Sequence, residues 1–166
     1  MSATSDFLAV DLGASSGRVH LGRWTGGRFE LTELHRFENG PVSALGHLHW
    51  DVLRLWGDIK EGLSRYGREQ ARSPSGIGVD AWGVDFALLD ACGQLLGNPH
   101  HYRDPRTDGV PAAVYARIPE VEIFNHTGLQ CWKINTLFQL FCMVQSGDPQ
   151  LHNAATLLMI PDLFAY

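Results

Sequence analysis

Short apolar runs separated by polar turns dominate the N-terminal part of the chain, and this pattern predicts three consecutive β-strands. The first run, Phe7 to Val10, leads into Asp11, and a second β-prone segment, Arg18 to Leu21, follows a corner of small residues. A third run extends from Phe29 to Phe37, where the alternation of apolar and polar residues slips and leaves the register open. Strands joined by Gly- and Ser-rich turns form hairpins. The sequence therefore predicts an antiparallel meander of three strands.

After the meander, apolar residues recur at intervals of three and four, which predicts one long helix that begins near Asp51. The apolar face of this helix consists of Val52, Leu55, Trp56, Ile59, Leu63 and Tyr66. The preceding residues, from Glu38 to His49, are expected to form a loop. Two strands are predicted after the helix, a buried one from Gly76 to Asp80 and another from Phe86 to Leu89. The predicted order is thus β-β-β-α-β-β.

The C-terminal half is predicted to be mainly helical. It opens with an irregular charged segment, residues 98–109, of the kind that often carries function. Two short helices, Pro111 to Ile118 and Val121 to Thr127, precede a stronger helix that Asn135 caps. The predicted apolar face of that helix consists of Leu137, Leu140, Phe141 and Val144. An apolar strand, Thr156 to Ile160, and the start of another helix follow.

The corner between the first two strands, Gly13-Ala-Ser-Ser-Gly17, concentrates groups that suit an anion. It offers backbone N–H groups without bulky side chains, two hydroxyls and the guanidinium of Arg18. Glycine can adopt positive φ and lets the backbone approach a phosphate closely. Asp11 would repel a phosphate unless a divalent cation lay between them, and Mg²⁺ is commonly held by one carboxylate and substrate phosphates. Two interpretations stay open: a nucleotide phosphate cradle with a metal-facing aspartate, or an ordinary tight turn.

Composition narrows the class of protein. The chain has 166 residues, of which 45% are hydrophobic and 19% charged, and its net charge is −5 without a basic stripe. Nucleic acid is therefore not an expected partner, because its recognition requires clustered Lys and Arg. Since no apolar run approaches the length of a membrane span and the N-terminus lacks signal-peptide features, we expect no membrane partner and a cytoplasmic location.

The cysteines and histidines show no metal-ligand spacing in the sequence. The three cysteines are an odd set, expected to be reduced thiols: Cys92, Cys131 and Cys142. His47 and His49 are two residues apart and His100 and His101 are adjacent, with no further ligand nearby in sequence. We expect these histidines to be solvated or hydrogen-bonded rather than to form a zinc site.

Six segments resemble motifs of the FGGY family of carbohydrate kinases, which has an actin-like, ribonuclease-H-like ATPase fold. They are Asp11-Leu-Gly-Ala-Ser-Ser-Gly-Arg18, His35-Arg-Phe37, Gly78-Val-Asp-Ala-Trp-Gly-Val-Asp-Phe86, Tyr102-Arg-Asp-Pro-Arg-Thr107, Asn135-Thr-Leu-Phe-Gln-Leu140 and Leu158-Met-Ile-Pro-Asp162. The resemblance extends from Phe7 to Tyr166 and is greatest to members that phosphorylate L-rhamnulose. It implies an α/β fold: an incomplete actin-like ATPase domain, with a β-β-β-α-β-β core followed by helices and a further strand.

The resemblance also implies an activity, the transfer of the γ-phosphoryl of ATP to the 1-hydroxyl of L-rhamnulose in rhamnose catabolism. The expected ligands are ATP, Mg²⁺ and the sugar, and no protein partner is implied. The positions that match the nucleotide motif are Ala14, Ser15, Ser16, Gly17 and Arg18. Asp11 is expected to face the metal. Gly83 matches a sugar-binding position, and Trp82 beside it either walls the sugar pocket or packs in the core.

The chain departs from the family in length. Family members are much longer, so residues 1–166 are expected to be the amino-terminal part of the first kinase domain, without the second domain. The general-base aspartate is expected beyond Tyr166, and neither Asp80 nor Asp85 is assigned that role. Two alternatives stay open, another FGGY ketose kinase and a non-catalytic actin-like half that binds a nucleotide. For the cradle, we expect Gly17→Val to impair the use of ATP with little change in thermal stability.

Overall fold

The computed structural model describes residues 4–70 and 72–166 and divides the chain into two compact units. Along the described chain the elements are β1 Thr4–Leu12, β2 Ser16–Thr25, β3 Phe29–Glu38, β4 Pro41–Ala44, β5 His47–Trp50, α1 Val52–Glu69, β6 Gly76–Ala81, β7 Phe86–Leu89, a 3₁₀ helix Pro105–Thr107, α2 Val110–Tyr115, α3 Glu120–Thr127, α4 Thr136–Ser146, α5 Pro149–Asn153, β8 Thr156–Met159 and α6 Ile160–Ala165. The first unit comprises the described residues up to Gly40, Asp51–Gly83 and Ile160–Tyr166. The second comprises Pro41–Trp50 and Val84–Met159.

A four-stranded sheet in the order β3-β2-β1-β6 forms the first unit, together with helices α1 and α6. The predicted meander is confirmed, since β1 pairs antiparallel with β2 and β2 with β3. The slip in the sequence pattern coincides with a register shift between Val19 and His20 of β2 as it pairs with β3. Strand β6 is parallel to β1, so the ends of these two strands lie at the same edge of the sheet.

Alternation along β1 explains where the core of this unit lies. Leu8, Val10 and Leu12 are buried, whereas the residues between them face the other side of the strand and are more exposed. Helix α1 begins where predicted, because the Asp51 carboxylate accepts a hydrogen bond from the Arg54 N–H. The helix packs on the buried face of the sheet through residues such as Ile59.

The second unit contains two antiparallel strand pairs, β4 with β5 and β7 with β8, and the helices α2 to α5. The prediction of a loop from Glu38 to His49 is wrong, because β4 and β5 form a hairpin there. Its turn places Leu45 at φ 51 and Gly46 at φ 84. Two consecutive residues at positive φ match the twist of antiparallel strands, and Leu at the first of them gave no recognisable turn signal.

Two burial predictions also need correction, the one for β6 entirely and the one for α4 in part. Strand β6 forms where expected but lies at the edge of its sheet, so half of its six residues are exposed and none is buried. Helix α4 buries Phe138, Gln139 and Met143, while Leu137 and Val144 are 44% and 64% exposed. Leu140 and Phe141 are partly buried and pack against core residues, as predicted. The buried face also contains a hydrogen-bonded glutamine, which a search for apolar periodicity does not select.

Candidate functional site

The corner between β1 and β2 is a tight turn in which the Gly13 N–H donates to the Ser16 carbonyl at 2.9 Å. Ala14 and Ser15, at its tip, are exposed. Asn39 holds the turn from outside, since its Nδ2 donates to the Gly13 carbonyl at 2.7 Å and its N–H donates to the Ser15 carbonyl at 3.1 Å. Sequence reasoning missed Asn39, although an Asn-Gly pair is a signal for a structural turn.

Asp11 and Arg18 are direct partners across this hairpin. Their side chains are 45% and 37% exposed, and Arg18 Nη1 donates to Asp11 Oδ2 at 3.3 Å. The buried Nε of Arg18 has no hydrogen-bond partner among the described residues. The corner therefore combines an accessible carboxylate with a partly exposed guanidinium, and these are groups that suit a cation and an anion respectively.

Gly17 is required for a reason other than the one the sequence suggested. Neither Gly13 nor Gly17 has a positive φ, so conformational freedom does not explain these glycines. A Cβ built at Gly17 would lie 2.2 Å from the ring of Phe37, on the buried side of the hairpin. The expectation of little change in thermal stability for Gly17→Val does not fit this geometry, because any side chain at this position collides with the Phe37 ring.

Trp82 and Gly83 follow β6 at the same edge of the sheet as the corner. The parallel pairing sets Asp11 beside Asp80 and Leu12 beside Ala81, so the residues after both strands emerge together. Trp82 is half-buried and packs against the core of the first unit. Gly83 is exposed, and a Cβ built there would meet open space. The geometry gives Trp82 a packing role and leaves the surface at Gly83 accessible.

In the second unit, aromatic stacking orders the start of the Tyr102-Arg103-Asp104 segment. The ring of His101 lies 4.1 Å from that of Trp50 and 4.4 Å from that of Tyr102. The guanidinium of Arg103 lies 5.4 Å from the Tyr102 ring. Burial lowers the pKa of His101 to about 4, so its ring is neutral at pH 7 and its Nδ1 accepts the Arg103 N–H.

Asp85 is fully buried and occupied by structural hydrogen bonds. Its Oδ2 accepts from Trp50 Nε1 at 2.6 Å and from the Tyr102 N–H at 3.2 Å. Its Oδ1 accepts from Gln139 Nε2 at 2.7 Å. Sequence reasoning assigned no catalytic role to Asp85, and it missed the partners Trp50 and Gln139. These partners lie 35 and 54 residues away, which no local pattern reveals.

Val84, the residue after Gly83, adopts φ 72, a region that β-branched residues rarely occupy. Its carbonyl accepts hydrogen bonds from Thr136 Oγ1 at 2.8 Å and from Gln139 Nε2 at 3.2 Å. Strained backbone of this kind persists only where surrounding contacts determine it. Two residues of the Asn135-Thr-Leu-Phe-Gln-Leu140 motif thus hold the backbone next to the predicted sugar-binding glycine.

Comparison with known proteins places this geometry in a family. Residues 7–166 match the N-terminal domain of the FGGY family of carbohydrate kinases. A rhamnulokinase from Pectobacterium atrosepticum is 46% identical over 166 residues, which cover 99% of this chain and 33% of that protein. A rhamnulokinase from Bacteroides thetaiotaomicron is 42% identical over 161 residues, which cover 97% of this chain and 33% of that protein. The chain spans about a third of the length of these relatives.

Solved structures of sugar kinases have the same fold. A gluconate kinase from Lactobacillus acidophilus superposes with a TM-score of 0.81 at 12% identity, covering 98% of this chain and 32% of that one. A xylulose kinase from Rhodospirillum rubrum gives a TM-score of 0.80 at 19% identity, covering 96% of this chain and 34% of that one. The chain belongs to the FGGY family of carbohydrate kinases. Its fold is the actin-like ATPase fold that the sequence predicted.

Among the helices of the described residues, none combines the length and the apolar character needed to cross a bilayer. The longest helix, α1, has 18 residues and only one buried face. The three cysteines, Cys92, Cys131 and Cys142, are all free, in accord with the expected reduced thiols.

Proposed function

We propose that this chain forms part of the active site of an ATP-dependent sugar kinase that transfers the γ-phosphoryl of ATP to the 1-hydroxyl of L-rhamnulose in rhamnose catabolism. The family supports a sugar kinase, and the names of the two relatives above support L-rhamnulose as the substrate. The observation that carries the proposal is the corner at the end of β1, where Asp11 and Arg18 stand accessible beside a turn of small residues. We further propose a cytoplasmic location.

On the nucleotide side, we assign the phosphates of ATP to Ala14, Ser15, Ser16, Gly17 and Arg18. Phosphoryl transfer depends mainly on positioning and on electrostatic stabilisation of the transferring group. Arg18 suits this task, since its side chain is 37% exposed and its guanidinium carries a permanent positive charge. The exposed tip of the turn, Ala14 and Ser15, presents small side chains to a phosphate. Gly17 contributes because its missing side chain leaves room for the Phe37 ring against the hairpin.

For Mg²⁺, Asp11 fits the role in chemistry and in exposure. The carboxylate is hard and half-exposed, and among the described residues its one side-chain contact is with Arg18 at 3.3 Å, so it can accept a cation without breaking a buried network. Mg²⁺ is typically bound by one or two carboxylates together with substrate phosphates, and it neutralises charge that develops on them. We therefore propose Asp11 as the residue of this chain that would hold the ion, directly or through water.

On the sugar side, we assign Gly83 and Trp82. The absence of a side chain at Gly83 lets a ketose lie against the main chain, and the space in front of it is open in the structure. Trp82, anchored by the core behind it, offers an apolar wall. Hydrogen bonds from Thr136 and Gln139 to the Val84 carbonyl fix the backbone that follows. We assign no general base here and propose that the remainder of the kinase supplies it.

The test is a coupled ADP-release assay on a full-length protein that carries this chain, with a panel of L-rhamnulose, L-ribulose, D-xylulose and D-gluconate. We expect L-rhamnulose to give the highest kcat/KM, and we expect residues 1–166 alone to give no sugar-dependent turnover. A preference for another ketose would support the proposed kinase activity and contradict the assignment of L-rhamnulose as its substrate. No turnover with any sugar, despite ATP binding, would favour a non-catalytic nucleotide-binding protein.

A further inference from the structure

Three potential metal ligands that are distant in sequence meet in the second unit, apart from the corner of Asp11. His47, His100 and Asp104 each offer one ligand atom, and these atoms all lie within 4.8 Å of one another. The rings of His47 and His100 meet edge to face with their centroids 5.4 Å apart. His47 belongs to the β4–β5 hairpin, whereas the other two flank the tripeptide His101-Tyr102-Arg103. Sequence analysis identified the two histidine pairs but not the cluster, because His47 is far from His100 and Asp104 in the chain.

Asp104 is the fixed member of the cluster. It is almost completely buried, and its Oδ2 accepts the Leu48 N–H at 2.6 Å. Its Oδ1 accepts the Arg106 N–H at 2.9 Å and lies 3.2 Å from His47 Nδ1. In metal sites, hydrogen bonds of this kind to a ligating carboxylate fix its orientation toward the metal.

The two imidazoles can complete a site around that carboxylate. His100 Nδ1 is buried without a hydrogen-bond partner among the described residues, which is an unusual state for a buried nitrogen. His47 has a side chain that is 47% exposed, so its ring is able to turn. A third ring, that of His49, lies 4.4 Å from the His100 ring and offers an additional imidazole donor.

We propose that His47, His100 and Asp104 bind a divalent transition-metal ion, with Zn²⁺ as the preferred species. Two imidazoles and a carboxylate suit Zn²⁺, Ni²⁺ or Cu²⁺, whereas Mg²⁺ and Ca²⁺ prefer ligand sets made of oxygen. Zn²⁺ with three protein ligands keeps a fourth position for water or for His49. The Arg106 guanidinium, 4.0 Å from Asp104 Oδ1, opposes cation binding and moderates the affinity.

Such an ion would join the β4–β5 hairpin to the segment that carries Tyr102 and Arg103. Backbone bonds already link these parts, since the His101 N–H donates to the Leu48 carbonyl and the Trp50 N–H donates to the Pro99 carbonyl, both at 2.9 Å. The metal would add a cross-link between side chains. It would stabilise the ordered segment without belonging to the phosphoryl-transfer chemistry assigned to Asp11.

The experiment is a calorimetric titration of ZnCl₂ into the purified, EDTA-treated and dialysed protein in a non-chelating buffer with millimolar MgCl₂. We expect one equivalent of Zn²⁺ that Mg²⁺ does not displace. His47→Ala should weaken it at least about tenfold, since even outer-shell substitutions commonly cost that much. The matched control is His152→Ala, an exposed histidine on α5 that is outside the cluster.

A second readout is thermal unfolding with and without Zn²⁺. The wild-type protein and His152→Ala should show the same increase in Tm on adding Zn²⁺, and His47→Ala and His100→Ala should lose it. Equal Zn²⁺ binding by all four proteins would place the ion elsewhere and overturn the proposal. Absence of Zn²⁺ binding by the wild-type protein would overturn it as well. Both results are independent of sugar kinase activity.

Discussion

The two ends of the β1–β2 hairpin each carry an aspartate opposite an arginine, yet the two pairs differ in almost every physical respect. Asp6 is paired with Arg23, and Asp11 with Arg18. The Asp6 carboxylate is buried and accepts from Arg23 at 2.8 and 2.9 Å. Asp11 is about half exposed, and within the part of the chain that the structure describes it has one side-chain contact, with Arg18 at 3.3 Å. The same pair of residue types therefore serves two environments.

The difference follows from strand alternation and from distant partners. Asp6 lies on the core face of β1, and Asp11 lies on the opposite face. Asp6 also accepts hydrogen bonds from Arg72 at 2.8 and 3.0 Å and from Tyr66 at 3.2 Å. The hydrogen bonds from Arg23, Arg72 and Tyr66 outweigh the effect of burial and hold the pKa of Asp6 well below its ordinary value. The carboxylate of Asp6, whose oxygens accept several hydrogen bonds, supports the fold, whereas the exposed carboxylate of Asp11 is available for a ligand.

Substitution of Asp6, at the buried end of the β1–β2 hairpin, should give the largest loss of stability. Asp6→Asn keeps the shape but removes the charge that two arginines share, so we expect a loss of about 2–3 kcal/mol in the free energy of unfolding. Both arginines are partly exposed, which limits the loss. Urea denaturation measures it, with Glu30→Gln, from an exposed pair with Arg28, as the control. Equal midpoints for the two variants would contradict the structural role of Asp6.

A substitution of Gly17, at the end of the hairpin that carries Asp11 and Arg18, should give the second largest loss of stability. Gly17→Ala places a methyl group against the Phe37 ring and should cost about 2 kcal/mol. Gly57→Ala is the matched control, because that glycine lies in α1 with open space around it and should gain up to about 1 kcal/mol. A double variant with Phe37→Ala should recover part of the loss caused by Gly17→Ala. Additive effects of the two substitutions would mean that Phe37 is not the obstacle.

Lowering the pH should reduce the stability difference between the wild-type protein and Asp6→Asn, and this change is the smallest of the three stability effects. Because the pKa of Asp6 in the folded state lies below its ordinary value of 3.8, its contribution to stability is complete above that value and declines as the pH falls through the folded-state pKa. The stability difference between the wild-type protein and Asp6→Asn should be constant above about pH 5 and shrink below about pH 4. Urea titrations at several pH values measure this difference. A stability difference that increases as the pH falls would contradict this prediction.

The contrast also shows what a sequence reveals. Asp11 could be identified because its neighbours Gly13, Ser15 and Ser16 are adjacent in the chain and together signal a corner suited to phosphate. Asp6 attracted no attention, because Arg72 is 66 residues away and Tyr66 is 60 residues away. Strand and helix positions were largely predictable from local periodicity. The β4–β5 hairpin and the buried Gln139 were not, since each depends on contacts that local patterns do not contain.

The central claim, that Asp11 is kept accessible for chemistry, is tested most directly by Asp11→Asn in a full-length protein that carries this chain. Sugar-dependent ADP release would be measured across a Mg²⁺ titration, with Asp80→Asn, the exposed register neighbour, as the control. We expect kcat for Asp11→Asn to fall on the order of 100- to 1000-fold. Its stability should change by less than about 1 kcal/mol, since its partner is a surface arginine. Wild-type turnover by Asp11→Asn at every Mg²⁺ concentration would contradict the account.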